Sequence, residues 1–160
     1  MKKTRSLPRI LSGLSFLFAM VAFFCNFAPS IVEDDGMCAR GNLFTAIFAM
    51  EGGENRFVVV PLTIAMVLLG ILVLTALAGV VFGDKGHKIV GLAELVLGIG
   101  VGVLYLLAKT FYVSTNGIPE YNAANLALGA GPICVSIFAF ASAFMGFLTI
   151  ALGKKKVAVE

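Results

Sequence analysis

Four stretches of this sequence are almost free of charged residues, and each is long enough to cross a lipid bilayer as a helix. Crossing the hydrocarbon core takes about 20 predominantly apolar residues. The stretches cover about residues 10–28, 57–82, 89–108 and 132–152, and Glu94 is the one charged residue within them. Because backbone polar groups in lipid must be satisfied within the segment, we expect each stretch to be a helix.

The composition excludes an ordinary water-soluble domain. Of the 160 residues, 59% are hydrophobic and 13% are charged, whereas soluble domains carry about 25% charged residues. The basic residues lie at the ends of the apolar stretches, so the net charge of +3 indicates membrane topology rather than nucleic-acid binding. The length predicts a single membrane domain, residues 1–160.

Proline placement predicts the same four spans. Proline inside a helix removes a hydrogen bond, whereas the first helical turn accepts it. Pro8 is expected just before the first span, and Pro61 and Pro132 are expected in first turns. Pro29 and Pro119 fall between the spans, so no proline lies in the middle of one.

Lysine and arginine predict the orientation. With four spans, both termini and the short loop of residues 83–88 share one side of the membrane. That side holds nine of the twelve basic residues. The positive-inside rule therefore predicts a plasma-membrane protein with both termini in the cytoplasm. Lys2 and Lys3 ahead of an apolar run also resemble a secretory signal, but cleavage after Ala28 would place Asn26 where a small residue is required, so an uncleaved span is favoured.

The loops predict two local structures. Residues 83–88 are short enough for a tight hairpin, which makes the second and third spans antiparallel neighbours. In the first outer connection, Leu43 and Ile47 fall on one side of a short helix that Asn42 can cap and Gly52 can end. We expect this helix in the membrane interface or over the bundle mouth. A re-entrant segment lining a pore is the alternative.

Glu94 is the one residue within the spans that suggests chemistry. A carboxylate inside a membrane is costly to bury and is a functional-site hypothesis by default. Glu94 follows Lys88 by six residues, about 9 Å of helix rise. We therefore expect it to pair with Arg9, Lys85, His87 or Lys88, and an ion or proton site is the alternative.

The three cysteines fall towards the predicted outer side. A disulfide between Cys38 and Cys134, or between Cys25 and Cys38, is sterically conceivable. The sequence has no Cys-x-x-Cys pair, no paired carboxylates in the spans and no second metal ligand near its only histidine. We therefore predict no enzymatic activity, no cofactor and no metal.

Small residues recur at helical spacing in the last two spans. Gly98 and Gly102 lie four residues apart, as do Ala139 and Ala143. Such faces let helix backbones approach closely in lipid. We expect them to pack within the chain. Contact with a second copy or with a membrane protein partner is the alternative.

Several segments resemble those of small four-span membrane proteins of Gram-positive bacteria. They are the lysine-rich start, residues 24–29, residues 46–48 and residues 128–132. The resemblance implies a bacterial cell membrane and brings no activity with it. The layout is also similar to claudin-like tetraspan proteins, but Gly36-Met37-Cys38 lacks the tryptophan and the second loop cysteine of that family.

Together these features predict an all-α integral membrane protein. Its architecture is an antiparallel four-helix bundle with a short interfacial helix in the first outer loop. We expect a non-enzymatic structural or accessory subunit surrounded by the lipid bilayer. A small ion- or proton-coupled transporter or channel that uses Glu94 is the alternative.

Overall fold

The computed structural model describes residues 5–33, 42–48, 58–153 and 156–157. Within these ranges the helices are α1 (Leu7–Phe24), α2 (Leu43–Phe48), α3 (Val60–Leu106), α4 (Ala108–Asn116), α5 (Glu120–Ala123) and α6 (Ala130–Leu152), and a 3-10 turn covers Cys25–Phe27. Four short strands accompany them: β1 (Arg5–Ser6), β2 (Ile31–Glu33), β3 (Leu126–Leu128) and β4 (Lys156–Val157). The described chain is therefore helical almost throughout, as the sequence predicts.

Four helical segments are long and apolar enough to cross a membrane. We call them span 1 to span 4, and they cover Leu7–Phe27, Val60–Phe82, Gly86–Leu106 and Ala130–Leu152. Pro61 and Pro132 lie in first turns, as expected. The placement of Pro8 before the first span was wrong, because α1 already begins at Leu7. Proline is tolerated there because the first backbone N–H groups of a helix have no partner within it.

Spans 2 and 3 form a helical hairpin. The range given for α3 covers both of them, because helical structure runs up to the turn between them on each side. The helical backbone is interrupted at Gly86, where φ is −122° and ψ is 15°. A Cβ built on Gly79 would lie 2.7 Å from Cγ1 of Val90. In a straight helix these two residues would be about 16 Å apart. The chain therefore turns back at Gly86, and the predicted antiparallel arrangement of these spans is correct.

Short strand pairs join spans 1 and 4 at both of their ends. β1 pairs with β4 in antiparallel register, which brings Arg5 opposite Val157. β2 pairs with β3, which brings Ile31 opposite Leu128. We call the end with β1 and β4 the terminal end of the bundle and the opposite end the loop end. The sequence analysis predicted neither strand pair.

The bundle buries small and apolar side chains and exposes large apolar ones. α1 packs on α3 and α6, and α3 packs on α6. Outward-facing side chains such as Leu17, Leu74 and Ile89 are exposed, the last of them to 78%. Soluble monomers rarely expose contiguous apolar surface on this scale. The exterior of the four spans is therefore suited to contact with lipid.

The short helix α2 forms where the sequence predicts one. The backbone N–H of Thr45 donates to Oδ1 of Asn42 at 3.0 Å, so Asn42 is the N-cap. Leu43 and Ile47 are buried in the core. Their burial matches a helix packed over the bundle rather than one lining a pore. The predicted end at Gly52 lies outside the described residues, and the position of α2 at a membrane interface stays a prediction.

Candidate functional site: a buried polar cluster

One face of span 1 is lined by small and polar residues. The buried residues Ser12, Ser15, Ala19, Ala22 and Asn26 follow one another at intervals of three or four. This spacing places them along one side of a helix. Their small volume lets neighbouring helices come close, and the serines put two hydroxyl groups inside the bundle. Hydropathy reasoning did not identify this face, because serine barely lowers the apolar character of a span.

Span 3 contributes the carboxyl group of Glu94 to the same interior. Glu94 is 0% exposed. The hydroxyl groups of Ser12 and Ser15 face its carboxyl group. Within the described part of the chain, however, no donor has hydrogen-bond geometry to either carboxyl oxygen. The two hydroxyl groups are thus close enough to interact with the carboxyl group, but neither meets hydrogen-bond geometry with one of its oxygens.

Span 4 adds a third hydroxyl group. Oγ of Ser15 and Oγ of Ser142 are 2.7 Å apart. The Oγ of Ser15 also lies 3.5 Å from the carbonyl oxygen of Ser142. Ser12 is 1% exposed, and its Oγ has no hydrogen-bond partner among the described residues. We call these residues the Glu94 cluster: Ser12, Ser15, Glu94 and Ser142.

Glycine residues close the walls of the Glu94 cluster. A Cβ on Gly146 would lie 2.8 Å from Cβ of Glu94 and 2.6 Å from the carbonyl oxygen of Gly91. A Cβ on Gly79 would lie 2.7 Å from Cβ of Ser12. Ordinary carbon contacts are about 3.5–4.0 Å. The helices therefore touch through their backbones beside Glu94 and Ser12.

Three of the basic residues that we expected to pair with Glu94, namely Arg9, His87 and Lys88, form no hydrogen bond with its carboxyl oxygens. Neither carboxyl oxygen has a partner in the described ranges, which include Arg9, His87 and Lys88. The side chain of Lys85 lies outside the described residues. Lys88 is exposed. Six residues of an α-helix amount to about 240° of rotation, so Lys88 projects from a different face than Glu94.

A second buried polar contact lies near the loop end, and it is fully paired. The hydroxyl group of Tyr105 donates to Oδ1 of Asn26 at 2.7 Å. Nδ2 of Asn26 donates to the carbonyl oxygens of Ala22 at 3.3 Å and of Phe23 at 2.9 Å. Buried polar groups with partners are normal structural elements. The Tyr105–Asn26 contact is therefore explained as part of the packing of the bundle.

The small residues singled out in the sequence meet within this one chain. A Cβ on Gly98 would lie 2.6 Å from the carbonyl oxygen of Ala139 and 2.8 Å from Cβ of Ala143. Gly102 packs against the ring of Phe140, which lies on α6 together with Ala139 and Ala143. These residues form the contact between spans 3 and 4. They are thus engaged in packing within the chain.

The cysteines are arranged differently from the expected pairing. Cys25 and Cys134 are half-buried free thiols, and their side chains face each other. Cys38 lies outside the described residues. The Cys38–Cys134 disulfide therefore stays a prediction.

The described residues offer no group of three or more histidine, cysteine or acidic side chains that could hold a metal ion.

An open depression of about 400 Å³ lies at the loop end, lined in part by Lys109 and Glu120. It is roughly 20 Å along the helix from Glu94 and separate from the cluster. Comparison of the chain with protein-family models, with curated proteins and with solved structures found no match.

Proposed function

We propose that this multi-pass membrane protein binds and exchanges a proton or a small monovalent cation at Glu94, and that it acts as a small ion- or proton-coupled transporter or channel. One observation carries the proposal: both oxygens of the Glu94 carboxyl group are buried without a hydrogen-bond partner in the described chain. The hydroxyl groups of Ser12 and Ser15 on span 1 face that carboxyl group, and Ser142 on span 4 contacts Ser15. The proposal involves no enzymatic chemistry.

The physical argument rests on the cost of an isolated buried charge. Desolvating a carboxylate costs several kcal/mol unless a proton or a counter-charge neutralises it. A bound proton would make the carboxyl group neutral and able to donate to a serine hydroxyl. A bound cation would instead be held by oxygen atoms, the ligands that hard cations prefer. Carboxylates inside membrane segments commonly mark such proton and ion sites.

The proposed topology supports access to this site from the cytoplasm. We propose a plasma-membrane location with both termini in the cytoplasm, because the terminal side carries most of the basic residues. The pairing of β1 with β4 supports an even number of crossings, since it joins the two ends of the chain. A single cysteine introduced at position 85 of a cysteine-free variant should therefore stay unlabelled by an impermeant maleimide on intact cells. Labelling from outside would contradict the orientation.

A structural or accessory-subunit role is the second candidate, and it is also a prediction. The sequence pattern in its favour is the set of small residues in spans 3 and 4, which would let a second copy or another membrane protein approach closely. Gly98 and Gly102 instead lie against span 4 of the same chain. The apolar exterior is the surface that a partner would contact. Crosslinking in native membranes that recovers only the monomer would count against this role.

Flux through the purified protein tests the leading proposal. We would reconstitute the full chain in liposomes that enclose a pH-sensitive or sodium-sensitive dye, and impose a potassium diffusion potential. Wild-type vesicles should carry a proton or sodium flux above that of empty vesicles. Glu94→Gln keeps the size of the side chain but removes its charge and its exchangeable carboxyl proton, so it should lower the flux at least tenfold.

Glu120→Gln is the matched control. Glu120 is exposed at the start of α5 and lies far from the cluster. This variant should keep the wild-type flux. Size-exclusion profiles and circular dichroism would show that both variants are folded. Wild-type flux in Glu94→Gln, or no flux in the wild type, would contradict the proposal.

A further inference from the structure

The end of span 1 and the start of span 4 are in backbone contact at the loop end. The 3-10 turn Cys25–Phe27 follows α1, and Gly131 is the second residue of α6. A Cβ built on Gly131 would lie 3.2 Å from the carbonyl oxygen of Cys25 and 2.9 Å from that of Ala28. The N–H of Gly131 also donates to the carbonyl oxygen of Pro29 at 2.8 Å. These contacts fix the position of one segment against the other.

Two thiol groups meet beside this contact. Cys134 lies three residues after Gly131 on the same helix, so both residues project from one face of α6 towards the 3-10 turn. The side chain of Cys25 faces that of Cys134. Both thiols are free and half-buried. The backbone contact and the facing side chains bring together two groups that lie far apart in the sequence.

We propose that Cys25 and Cys134 form a reversible disulfide that links span 1 covalently to span 4. This pairing differs from both pairings that the sequence suggested, each of which used Cys38. The pairing of β2 with β3 already joins the same two spans through hydrogen bonds. The disulfide would add a covalent restraint at the same end of the bundle, independent of the Glu94 cluster.

The chemistry is thiol–disulfide exchange with a disulfide oxidant. One cysteine thiolate attacks a sulfur atom of oxidised glutathione, forms a mixed disulfide and releases one glutathione thiolate. The second cysteine thiolate then attacks the protein sulfur of the mixed disulfide and releases the second glutathione. Two protein thiols are oxidised, one glutathione disulfide is reduced, and the two thiol protons go to solvent. In the cell, the proposed topology would put this end in the outer compartment, where disulfides persist.

Counting free thiols tests the pairing. The full chain carrying Cys38→Ser would be purified in detergent and equilibrated with excess oxidised glutathione. It would then be treated with a maleimide and weighed by mass spectrometry. Protein first reduced with dithiothreitol should take up two maleimides, and the oxidised protein should take up none and remain a monomer without bound glutathione. Retention of both thiols, or a disulfide-linked dimer, would overturn the proposal.

A variant with a single thiol is the matched control. Chains carrying both Cys25→Ser and Cys38→Ser should keep Cys134 reactive or attach one glutathione, because no second thiol remains in the chain to resolve the mixed disulfide. Peptide mapping of the oxidised wild-type chain adds an independent measurement without any substitution. It should recover a Cys25–Cys134 linkage. Recovery of Cys38 linked to Cys134 instead would overturn the proposal.

Discussion

Adding one methyl group at Gly98 should weaken the bundle, whereas adding it at Gly100 should not. Both glycines belong to span 3. A Cβ at Gly98 would lie 2.6 Å from the carbonyl oxygen of Ala139 and 2.8 Å from Cβ of Ala143, while nothing lies within 4 Å of a Cβ at Gly100. To reach ordinary contact distances, span 4 would have to move away by roughly 1 Å.

Two contributions determine how the free energies of unfolding of Gly98→Ala and Gly100→Ala differ, and one of them is the same in both variants. Replacing glycine by alanine in a helix stabilises it by about 1 kcal/mol through helix propensity, and this term applies to both variants. Overpacking a close contact costs about 1–3 kcal/mol and applies to Gly98→Ala alone. The free energy of unfolding of Gly98→Ala should therefore be about 1–3 kcal/mol lower than that of Gly100→Ala.

Unfolding in mixed micelles measures this difference. Protein at a concentration where it is monomeric would be titrated with sodium dodecyl sulfate, and the loss of structure would be followed by circular dichroism. A monomeric sample matters because it separates packing within the chain from packing between copies. If Gly98→Ala were as stable as Gly100→Ala, the close contact between spans 3 and 4 would be refuted.

Three further predictions use the same unfolding measurement or a local one. Tyr105→Phe should lower the free energy of unfolding by about 1–3 kcal/mol, because Oδ1 of Asn26 stays buried without its donor; an unchanged value would contradict the contact. Gly79→Ala should be less stable than Gly70→Ala on the same span, since only the first site is crowded; equal stability would count against that packing. Asn42→Ala should destabilise α2 locally by about 0.5–2 kcal/mol, seen as faster hydrogen exchange over residues 43–48, and unchanged exchange would argue against the cap.

The features that the sequence predicted correctly depend on local chemistry. The absence of charge and the cost of proline inside a helix define the four apolar segments. The hairpin at Gly86 follows from a connection too short for any other arrangement. The cap at Asn42 needs only a side-chain oxygen placed before the first turn. Each of these depends on residues that are neighbours in the chain.

The features that the sequence did not predict depend on contacts between distant segments. β1 and β4 have two residues each, too few to show any alternation of polar and apolar side chains. The expected pairing of Glu94 with Lys88 used the distance along the helix and left out the angle around it. The position of Glu94 around the helix axis directs its side chain towards the serines of span 1. The residue pattern of span 3 alone cannot show that those serines lie opposite it. The meeting of Cys25 with Cys134 likewise exists only in the folded chain.

Chemical labelling of Glu94 tests most directly whether the cluster exchanges a proton or a cation. An apolar carbodiimide enters membranes and adds to protonated carboxylic acids, and peptide mass spectrometry locates the adduct. In native membranes the reagent should modify Glu94, and the modified fraction should fall as the pH is raised or as a small monovalent cation is added at constant pH. If Glu94 were modified equally under all these conditions, or not at all, the claim that it forms an exchangeable site would be contradicted.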